Sequence, residues 1–474
     1  GNIIMKDYKL YINGEFVEGN SGAYIEVENP ATKEVFARVP DGNEVDVDKA
    51  VAAARAAQPA WSALSPEKRA DYVEKFADYI EKHSDEVGKT IMAEIGTPVK
   101  YVYGLQVESS IEHGRYYAEL ARRYQYEKKV GDDMAVRYEP IGVIACLTPW
   151  NYPIYQETAK IFPAIAAGNC IVLKPSQIAP VSAFVLAEAA REMGLPAGVI
   201  NIVTGRGSEV GTLLAKHEDV DMVSFTGSTE QGKKVGMMGI ESNVKKVALE
   251  LGGKSASVIL RSADYEKAAK STMMGCFLNT GQICSALTRM VAPREIKEKL
   301  EEYIVSFAKT FTVGDPQDEK MMIGPLASRK GFDKVCAYLR RGLEEGAKMI
   351  AGQIPGDCEN GYYISPVVFT DVTSDMTIAR EEIFGPVLSI IYYDTEEEAL
   401  QIANDTIYGL AGAVFGRQED ALRFAGKMKA GTVNINNGNF SIEVPFGGYR
   451  QSGLGRENGE DGFGEFMETK SLML

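Results

Sequence analysis

Two short stretches of the sequence carry side chains suited to covalent catalysis. Cys284 follows a glycine and a polar glutamine in the run Thr-Gly-Gln-Ile-Cys, which places its thiol in an accessible turn. Glu250 ends the apolar run Val-Ala-Leu-Glu and precedes two glycines, so its carboxylate lies at a strand end. Together they indicate a nucleophile and a separate base for water. A free cysteine is more often a small core residue, so either stretch alone leaves a structural role open.

Two further strand ends carry polar side chains that can bind charge. Asn151 lies between two prolines that fix the backbone, and a rigid amide donor is what a developing oxyanion needs. Lys174, followed by a proline, Ser176 and Gln177, can reach ribose hydroxyls or a phosphate. A turn asparagine and a solvated lysine are the plain alternatives for these two positions.

Glycine turns after strands indicate sites for phosphate groups. In the run SFTGSTEQG, Gly227 and Ser228 lead from a strand into a helix, whose exposed N–H groups and dipole suit a pyrophosphate. The turn around Gly207 has a similar shape, although neither run is the usual G-x-G-x-x-G. Glu382 and Phe384, before a stiff Gly-Pro, can bind a ribose and stack on a ring. A helix end leading into a strand explains that last run equally well.

The elements that must position these side chains alternate strictly between short apolar runs and helical stretches. The predicted strands are 141–147, 170–173, 199–203, 222–225 and 247–251, and the predicted helices between them are 155–168, 182–193, 208–216 and 229–239. Such alternation predicts βαβ units and a parallel sheet, in which ligands gather at the carboxyl ends of the strands. A second α/β block is predicted after residue 260, with helices 264–278, 294–310, 328–345, 395–404 and 418–428 and strands 364–369, 387–393, 411–415 and 431–435.

The segments near the two ends of the sequence do not show this alternation of strands and helices. Residues 8–40 predict hairpins, and an alanine-rich helix over 48–57 is expected to stop at Pro59. A long amphipathic helix is expected from Ser65 to Gly96. The alternating segment 463–474 is expected to add to a sheet, that of a neighbouring subunit.

The composition excludes several classes of function. A formal net charge of −15 argues against a nucleic-acid or anionic-membrane surface. The six cysteines show no C-x-x-C spacing and the three histidines no ligand spacing, so we expect neither a metal site nor a Ser-His-Asp triad. Without a transmembrane-length apolar run or a signal pattern, we expect a cytoplasmic protein.

Seven motifs, in order, resemble those of the aldehyde dehydrogenase superfamily over nearly the whole chain. They are LTPWNYP, VLKPSQ, SFTGSTEQG, ALELGGKS, NTGQICS, EEIFGPV and PFGGYRQSGLGRE. The resemblance implies an α/β fold with a variant Rossmann cofactor domain over 1–121 and 141–252 and a second α/β catalytic domain over 253–463. It also implies a small β arm for oligomerisation over 122–140 and 464–474, in a homodimer or homotetramer.

The resemblance also implies roles for individual residues. Cys284 would be the nucleophile and Glu250 the general base, and the Asn151 amide with the Cys284 N–H would form the oxyanion hole. Lys160 and Glu457 would assist proton movement. The implied cofactor-binding residues are Thr148, Pro149, Trp150, Lys174, Ser176, Gln177, Gly207, Phe225, Gly227, Ser228, Gly232, Leu251, Glu382 and Phe384. The implied substrate-binding residues are Tyr152, Tyr155, Gln156, Phe440 and Phe446.

The implied reaction is oxidation of an aldehyde to a carboxylic acid through a cysteine thiohemiacetal and a thioester, with NAD or NADP. Gln177 stands where NAD-preferring members commonly carry Glu, and a neutral amide does not repel a 2′-phosphate. The aromatic pocket residues favour a neutral, moderately apolar aldehyde. Transfer of the thioester to coenzyme A is the alternative within enzymes, and Glu250 argues against it. A catalytically silent structural or binding homologue is the other, against which Cys284 and Asn151 argue.

Overall fold

Two large β-sheets carry the candidate residues in this computed structural model, which describes residues 5–474. Residues 1–4, which begin the predicted segment 1–121, lie outside the described residues. The first sheet contains, in spatial order, Gly453–Leu454, Lys246–Glu250, Met222–Thr226, Val143–Leu147, Cys170–Lys174, Ile200–Ile202, Leu10–Ile12 and Glu15–Val17. The second contains Lys348–Ala351, Val367–Thr370, Val387–Tyr393, Arg289–Pro293, Ala256–Ile259, Ala411–Phe415 and Thr432–Ile435.

The interior strands of both sheets are parallel, as the alternating pattern predicts. Strands such as Val143–Leu147 and Cys170–Lys174 are buried along their whole length, because helices cover both faces of a parallel sheet. The register pairs Leu147 with Lys174 and Thr226 with Glu250. The strand ends therefore share one edge of the sheet. The predicted α/β architecture is confirmed.

Helices surround the two sheets. Those of the first half are Glu44–Ala63, Pro66–Lys82, Ser84–Ile95, Val99–Tyr101, Glu108–Arg123, Pro153–Ala166, Phe184–Met193, Thr212–Lys216 and Thr229–Asn243. Those of the second half are Tyr265–Phe277, Lys297–Ala308, Arg329–Glu344, Thr377–Arg380, Glu396–Asn404, Gln418–Ala425 and Gly459–Gly464.

Two helix predictions are wrong in their bounds. The first helix continues through Pro59 to Ala63. A proline costs the helix one hydrogen bond, but buried Trp61 donates through Nε1 to the Ile165 carbonyl at 2.9 Å and anchors the last turn. The stretch expected as one helix divides at His83 into two, and Gly96 ends the second in the left-handed region at φ 76°.

The end of the chain forms a strand, as expected, but within its own subunit. Met467–Met473 pairs antiparallel with Met134–Pro140, which pairs in turn with Glu127–Val130. The hairpin over 127–140 leaves one edge open, and the tail of the same chain occupies it. A further sheet of Lys6–Asp7, Val35–Pro40 and Tyr24–Glu28 forms near the start of the chain, as the hairpin pattern there predicts. The two-residue strand Gly453–Leu454 joins the first sheet although it lies within the predicted segment 253–463.

Candidate active site

A strained turn presents the Cys284 thiol. Asn279, Thr280 and Gly281 all lie in the left-handed region, at φ 55°, 58° and 72°. The Thr280 hydroxyl donates to the Gly324 carbonyl at 2.9 Å, and a Cβ on Gly281 would collide with the carbonyl of Gly385. Consecutive residues in this region persist only where surrounding contacts hold them. The turn leaves Cys284 partly exposed, whereas the other five cysteines are buried.

The side chain of Asn151 lies beside that sulfur. Its Nδ2 donates to the Gln282 carbonyl at 3.2 Å and lies 3.9 Å from Cys284 Sγ. The Asn151 backbone carbonyl accepts hydrogen bonds from Gln106 Nε2 and Asn279 Nδ2, both at 3.1 Å. An amide held this firmly is a preorganised donor for an oxyanion on a carbon bonded to the sulfur.

Glu250 faces the same space from the end of its strand. One buried cavity is lined by Tyr155, Gln156, Ala159, Thr226, Glu250, Leu251, Cys284, Phe446, Glu457 and Asn458. Glu250 is 5% exposed, and its buried Oε2 has no hydrogen-bond partner among the described residues. Burial, and then the nearby Glu457 carboxylate, raise the pKa of Glu250 well above its ordinary value. A buried carboxyl with a free oxygen beside a thiol is placed to exchange a proton with that thiol or with water.

The surroundings of Cys284 favour its thiol form over the thiolate. Burial, and then the carboxylates of Glu382 and Glu250, raise its pKa to about 12, against a smaller effect of the Asn151 hydrogen bond. Since the thiolate is the nucleophile, attack requires a group that accepts the thiol proton. Glu250 lines the cavity with the sulfur and is the titratable group suited to that task.

Lys160 and Glu457 form a buried ion pair at the edge of this cavity. Lys160 Nζ lies 3.3 Å from Glu457 Oε1 and donates to Ser224 Oγ at 2.9 Å. The Thr226 hydroxyl also donates to Glu457 Oε1, at 3.4 Å. These contacts create a polar path beside Glu250, the residue that pairs with Thr226 in the sheet.

The predicted cofactor residues lie at the carboxyl edge of the first sheet. Lys174 is 6% exposed, and in the described part of the chain its ammonium bonds only to the Pro175 carbonyl, at 3.1 Å. Burial lowers its pKa to about 8. An unpaired buried cation is costly, so the site suits an anionic or hydroxyl-rich ligand. Ser176 and Gln177 follow at the surface, and Gly207 lies on an exposed turn that continues to Gly211, beside the Lys174 stem.

The turn after the strand Met222–Thr226 has the form expected of a phosphate site. Ser228 caps the helix Thr229–Asn243 by accepting from the Gln231 N–H at 3.2 Å. A Cβ on Gly232 would collide with Leu251, so glycine is required for the helix to approach the sheet. The helix terminus and its N–H groups fit a pyrophosphate.

Glu382 and Phe384 lie between that turn and the nucleophile. Glu382 accepts a 2.9 Å hydrogen bond from the Gly253 N–H, and burial raises its pKa. Phe384 has φ 61° and contacts Trp150 edge-on, with ring centroids 5.4 Å apart. Thr148 is buried with a free hydroxyl, Pro149 precedes Trp150, and Phe225 packs against Gly227. These residues supply polar and aromatic side chains of the kind that a dinucleotide binds.

Aromatic side chains line the substrate side of the cavity. Tyr152 and Tyr155 have ring centroids 6.2 Å apart, and Phe440 is 6.4 Å from Tyr155. Phe446 and Gln156 line the cavity itself, whereas Phe440 is 60% exposed. The predicted substrate residues thus lie together, with Phe440 at the solvent side.

The sequence did not identify two polar residues in this region, His113 and Asn458. His113 is fully buried and bonds to Asn458, which lies 345 residues away in the chain and lines the cavity. No local motif marks His113. Asn458 could have been found in the sequence because it directly follows Glu457, a predicted site residue.

Neither a metal cluster nor a membrane span occurs in the described residues. Among residues 5–474, no three His, Cys, Asp or Glu side chains gather in a way that could hold a metal ion. Within the same range, no helix has the length and apolar character needed to cross a membrane.

Comparisons with known proteins agree with this geometry. The sequence model described as the aldehyde dehydrogenase family matches residues 16–472. A 3-succinoylsemialdehyde-pyridine dehydrogenase of a Pseudomonas species is 45% identical over 474 residues, which are 99% of each chain.

Solved structures are similarly close. A variant of aldehyde dehydrogenase C from Pseudomonas syringae, in complex with NAD⁺ and octanal, superposes with a TM-score of 0.96 at 45% identity, covering 98% of this chain and 96% of that one. Betaine aldehyde dehydrogenase from Staphylococcus aureus, in complex with NAD⁺, superposes with a TM-score of 0.95 at 36% identity, covering 98% and 94%.

Proposed function

The chain belongs to the aldehyde dehydrogenase family, and from that premise we propose that it oxidises an aldehyde to the carboxylic acid with NAD or NADP. The observation that carries the proposal is the meeting of three groups from distant segments. The Asn151 amide lies 3.9 Å from Cys284 Sγ, and Glu250 lines the same buried cavity.

The chemistry follows from these groups. The Cys284 thiol passes its proton to Glu250, and the sulfur attacks the aldehyde carbon while the Asn151 amide and the Cys284 N–H bind the oxyanion. A bound NAD(P)⁺, held by Lys174, the turn at Gly227 and Ser228, and Glu382, would supply the hydride acceptor for this carbon. The acyl group then remains on Cys284 as a thioester. Glu250 first passes the thiol proton on to solvent. Its carboxylate then removes a proton from water, which attacks the thioester and releases the acid, and Glu250 returns this proton to the Cys284 sulfur.

Chain residues at the sheet edge would hold the nucleotide. We propose that Lys174 binds the adenosine ribose, that the turn at Gly227 and Ser228 binds the pyrophosphate, and that Glu382 binds the second ribose. The unpaired ammonium of Lys174 supports this assignment. Gln177 is exposed beside it and carries no charge to repel a 2′-phosphate, so both NAD and NADP are proposed.

Hydrolysis is favoured over transfer to coenzyme A. A buried carboxyl of raised pKa beside the sulfur supports activation of water. We further propose that the Lys160–Glu457 pair assists proton movement between Glu250 and solvent, because Ser224 and Thr226 extend its hydrogen bonds along the strand that pairs with that of Glu250.

The substrate is proposed to be a neutral, moderately apolar aldehyde. Aromatic rings at Tyr152, Tyr155 and Phe446 support this class. A relative with an octanal complex and another named for a pyridine-containing semialdehyde fall within it.

The protein is proposed to be a cytoplasmic homo-oligomer. The helix Thr229–Asn243 and its cap expose Met237, Ile240 and Val244 at 64%, 52% and 77%, a grouping of apolar side chains that marks an interaction surface. We retain the predicted partition into segments 1–121 with 141–252, 253–463, and 122–140 with 464–474 as a proposal.

The test compares Cys284→Ala with Cys358→Ala across a panel of aldehydes, with NAD and NADP in parallel. Cys284→Ala should abolish formation of the reduced nucleotide while nucleotide binding persists. Cys358, buried in another core, should tolerate the same change with activity retained. Product analysis with and without coenzyme A separates acid from thioester. Steady oxidation by the Cys284→Ala protein would refute the proposal.

A further inference from the structure

A chain of buried polar side chains runs from the protein interior to the wall of the cavity that contains Cys284. His113 is fully buried, with Nδ1 2.8 Å from Thr158 Oγ1 and Nε2 2.9 Å from Asn458 Oδ1. Asn458 Nδ2 donates to the Tyr155 hydroxyl oxygen at 2.9 Å. Both Tyr155 and Asn458 line the cavity, so the chain ends at the substrate.

The direction of these hydrogen bonds follows from which groups can donate. Burial lowers the pKa of His113 to about 4, so its ring is neutral and carries one N–H. Because Nε2 lies against Asn458 Oδ1, which can only accept, the N–H is on Nε2. Nδ1 then accepts from the Thr158 hydroxyl at 2.8 Å, a shorter contact than that of the same hydroxyl to the Tyr155 carbonyl at 3.3 Å. Because the Asn458 amide donates to Tyr155, the tyrosine oxygen acts as an acceptor there. The Tyr155 O–H proton therefore remains free to donate into the cavity.

The position of this donor is fixed. Asn458 is 1% exposed, has φ 65°, and its carbonyl accepts from the Gly462 N–H at 2.8 Å. The rings of His113 and Tyr155 contact each other with centroids 4.8 Å apart. A donor supported in this way is preorganised and loses little freedom when it binds a partner.

The charges around the cavity select against an anionic partner. Glu250 and Glu457 line it, and no lysine or arginine does so among the described residues. The nearest buried cation, Lys160, is paired with Glu457. A carboxylate on the substrate would therefore be desolvated without a free cation to pair with it, whereas a neutral acceptor carries no such cost.

We propose that Tyr155, aimed by Asn458 and His113, donates a hydrogen bond to a neutral acceptor atom of the substrate. The enzyme thus prefers uncharged aldehydes that carry an ether, hydroxyl or carbonyl oxygen or an aromatic nitrogen over alkyl aldehydes of the same size. This inference rests on the proposed function. Tyr155 is the specificity residue, and Asn458 and His113 are positioning residues.

The experiment uses isosteric pairs of aldehydes, 3-methoxypropanal with pentanal and 4-methoxybutanal with hexanal, and measures the ratio of kcat/KM within each pair. The unsubstituted enzyme should favour an ether over its alkane. Tyr155→Phe should lower that ratio by about 2- to 10-fold, the range of one neutral hydrogen bond. The change should lie in KM, because a contact remote from the reacting carbon binds ground and transition states alike.

Two further variants distinguish an effect on the orientation of the Tyr155 hydroxyl from a general loss of protein stability. Asn458→Asp keeps the shape and tolerates the left-handed backbone, but its oxygen accepts the Tyr155 proton. The ratio should then fall as in Tyr155→Phe although the hydroxyl remains. Tyr117→Phe is the matched control, because Tyr117 stacks near His113 and donates to the Gly459 carbonyl at 3.3 Å without lining the cavity. It should leave the ratio unchanged.

Two results would overturn the inference, and they are distinguishable. If the unsubstituted enzyme oxidised none of the four aldehydes with NAD or NADP, the proposed function itself would fail. If it oxidised them but Tyr155→Phe left both ratios unchanged, or Tyr117→Phe lowered them equally, the proposed function would stand and the donor role of Tyr155 would be wrong.

Discussion

Replacing Glu250 by glutamine should separate the two halves of the reaction. The change keeps the size of the side chain and removes only its ability to take up a proton. The variant should acylate Cys284 more slowly, because another base must then take the thiol proton. It should then stall, because water must lose a proton to hydrolyse the thioester. We expect a burst of one reduced nucleotide per active Cys284, followed by a slow steady rate.

The structure sets the size of the effect. Glu250 is 5% exposed, and its Oε2 has no protein partner in the described chain, so this oxygen is free to accept a proton from water. A positioned general base contributes roughly 10²- to 10⁴-fold, which corresponds to roughly 3 to 5 kcal/mol of barrier. The steady rate should fall by that factor while the burst amplitude stays near one.

The pH profile gives a second readout of the same residue. Burial and Glu457 raise the pKa of Glu250, and the proton-accepting form is the ionised one. The steady rate should therefore climb as pH rises above the ordinary range of carboxylates. In Glu250→Gln this limb should disappear, since glutamine does not titrate.

Stopped-flow absorbance of the reduced nucleotide measures both phases. The rate of the burst reports whether Glu250 also accepts the thiol proton, because the Cys284 pKa of about 12 leaves little thiolate at neutral pH. Glu443→Gln, an exposed carboxylate on the neighbouring loop, is the matched control and should turn over without a burst. Steady turnover of Glu250→Gln at the unsubstituted rate, with no burst, would refute the reasoning.

Three other predictions concern the sulfur, the amide and the nucleotide. Alkylation of Cys284 by iodoacetamide can be followed by mass spectrometry, and its rate constant should rise roughly tenfold for each pH unit. The rate constant should not level off below a pH of about 12, and a plateau near neutral pH would contradict a protonated thiol. Asn151→Ala should lower kcat roughly 10²- to 10³-fold, with nucleotide affinity by titration calorimetry unchanged, and a loss confined to KM would argue against an oxyanion donor. Gln177→Glu should lower kcat/KM for NADP at least roughly tenfold relative to NAD, because a carboxylate repels the 2′-phosphate; equal effects on both nucleotides would place Gln177 outside the ribose site.

The strands and their ends could be predicted because their signals are local. Val387–Tyr393 and Ala411–Phe415 have the predicted bounds, since a buried parallel strand is a short apolar run between helices. The prediction that the first helix stops at Pro59 was wrong because it used only the local effect of a proline on a helix. The contact that keeps this helix intact joins Trp61 to Ile165, 104 residues away. Where local propensity and tertiary packing favour different helix ends, the tertiary contacts determine the structure.

The same difference between local and distant signals explains which residues of the site could be predicted from the sequence. Cys284, Glu250 and Asn151 each stand in a turn whose glycines or prolines mark it, so each could be found separately. The parallel sheet brings Asn151 and Glu250 together, because strands of one direction deliver their ends to one edge. Cys284 reaches them from the turn after the helix Tyr265–Phe277 of the other half. His113 has no such mark: it lies mid-helix, and its hydrogen-bond partner Asn458 is 345 residues away. The candidate catalytic groups could therefore be found in this sequence, whereas the His113–Asn458 contact forms only when the helices and the final loop pack together.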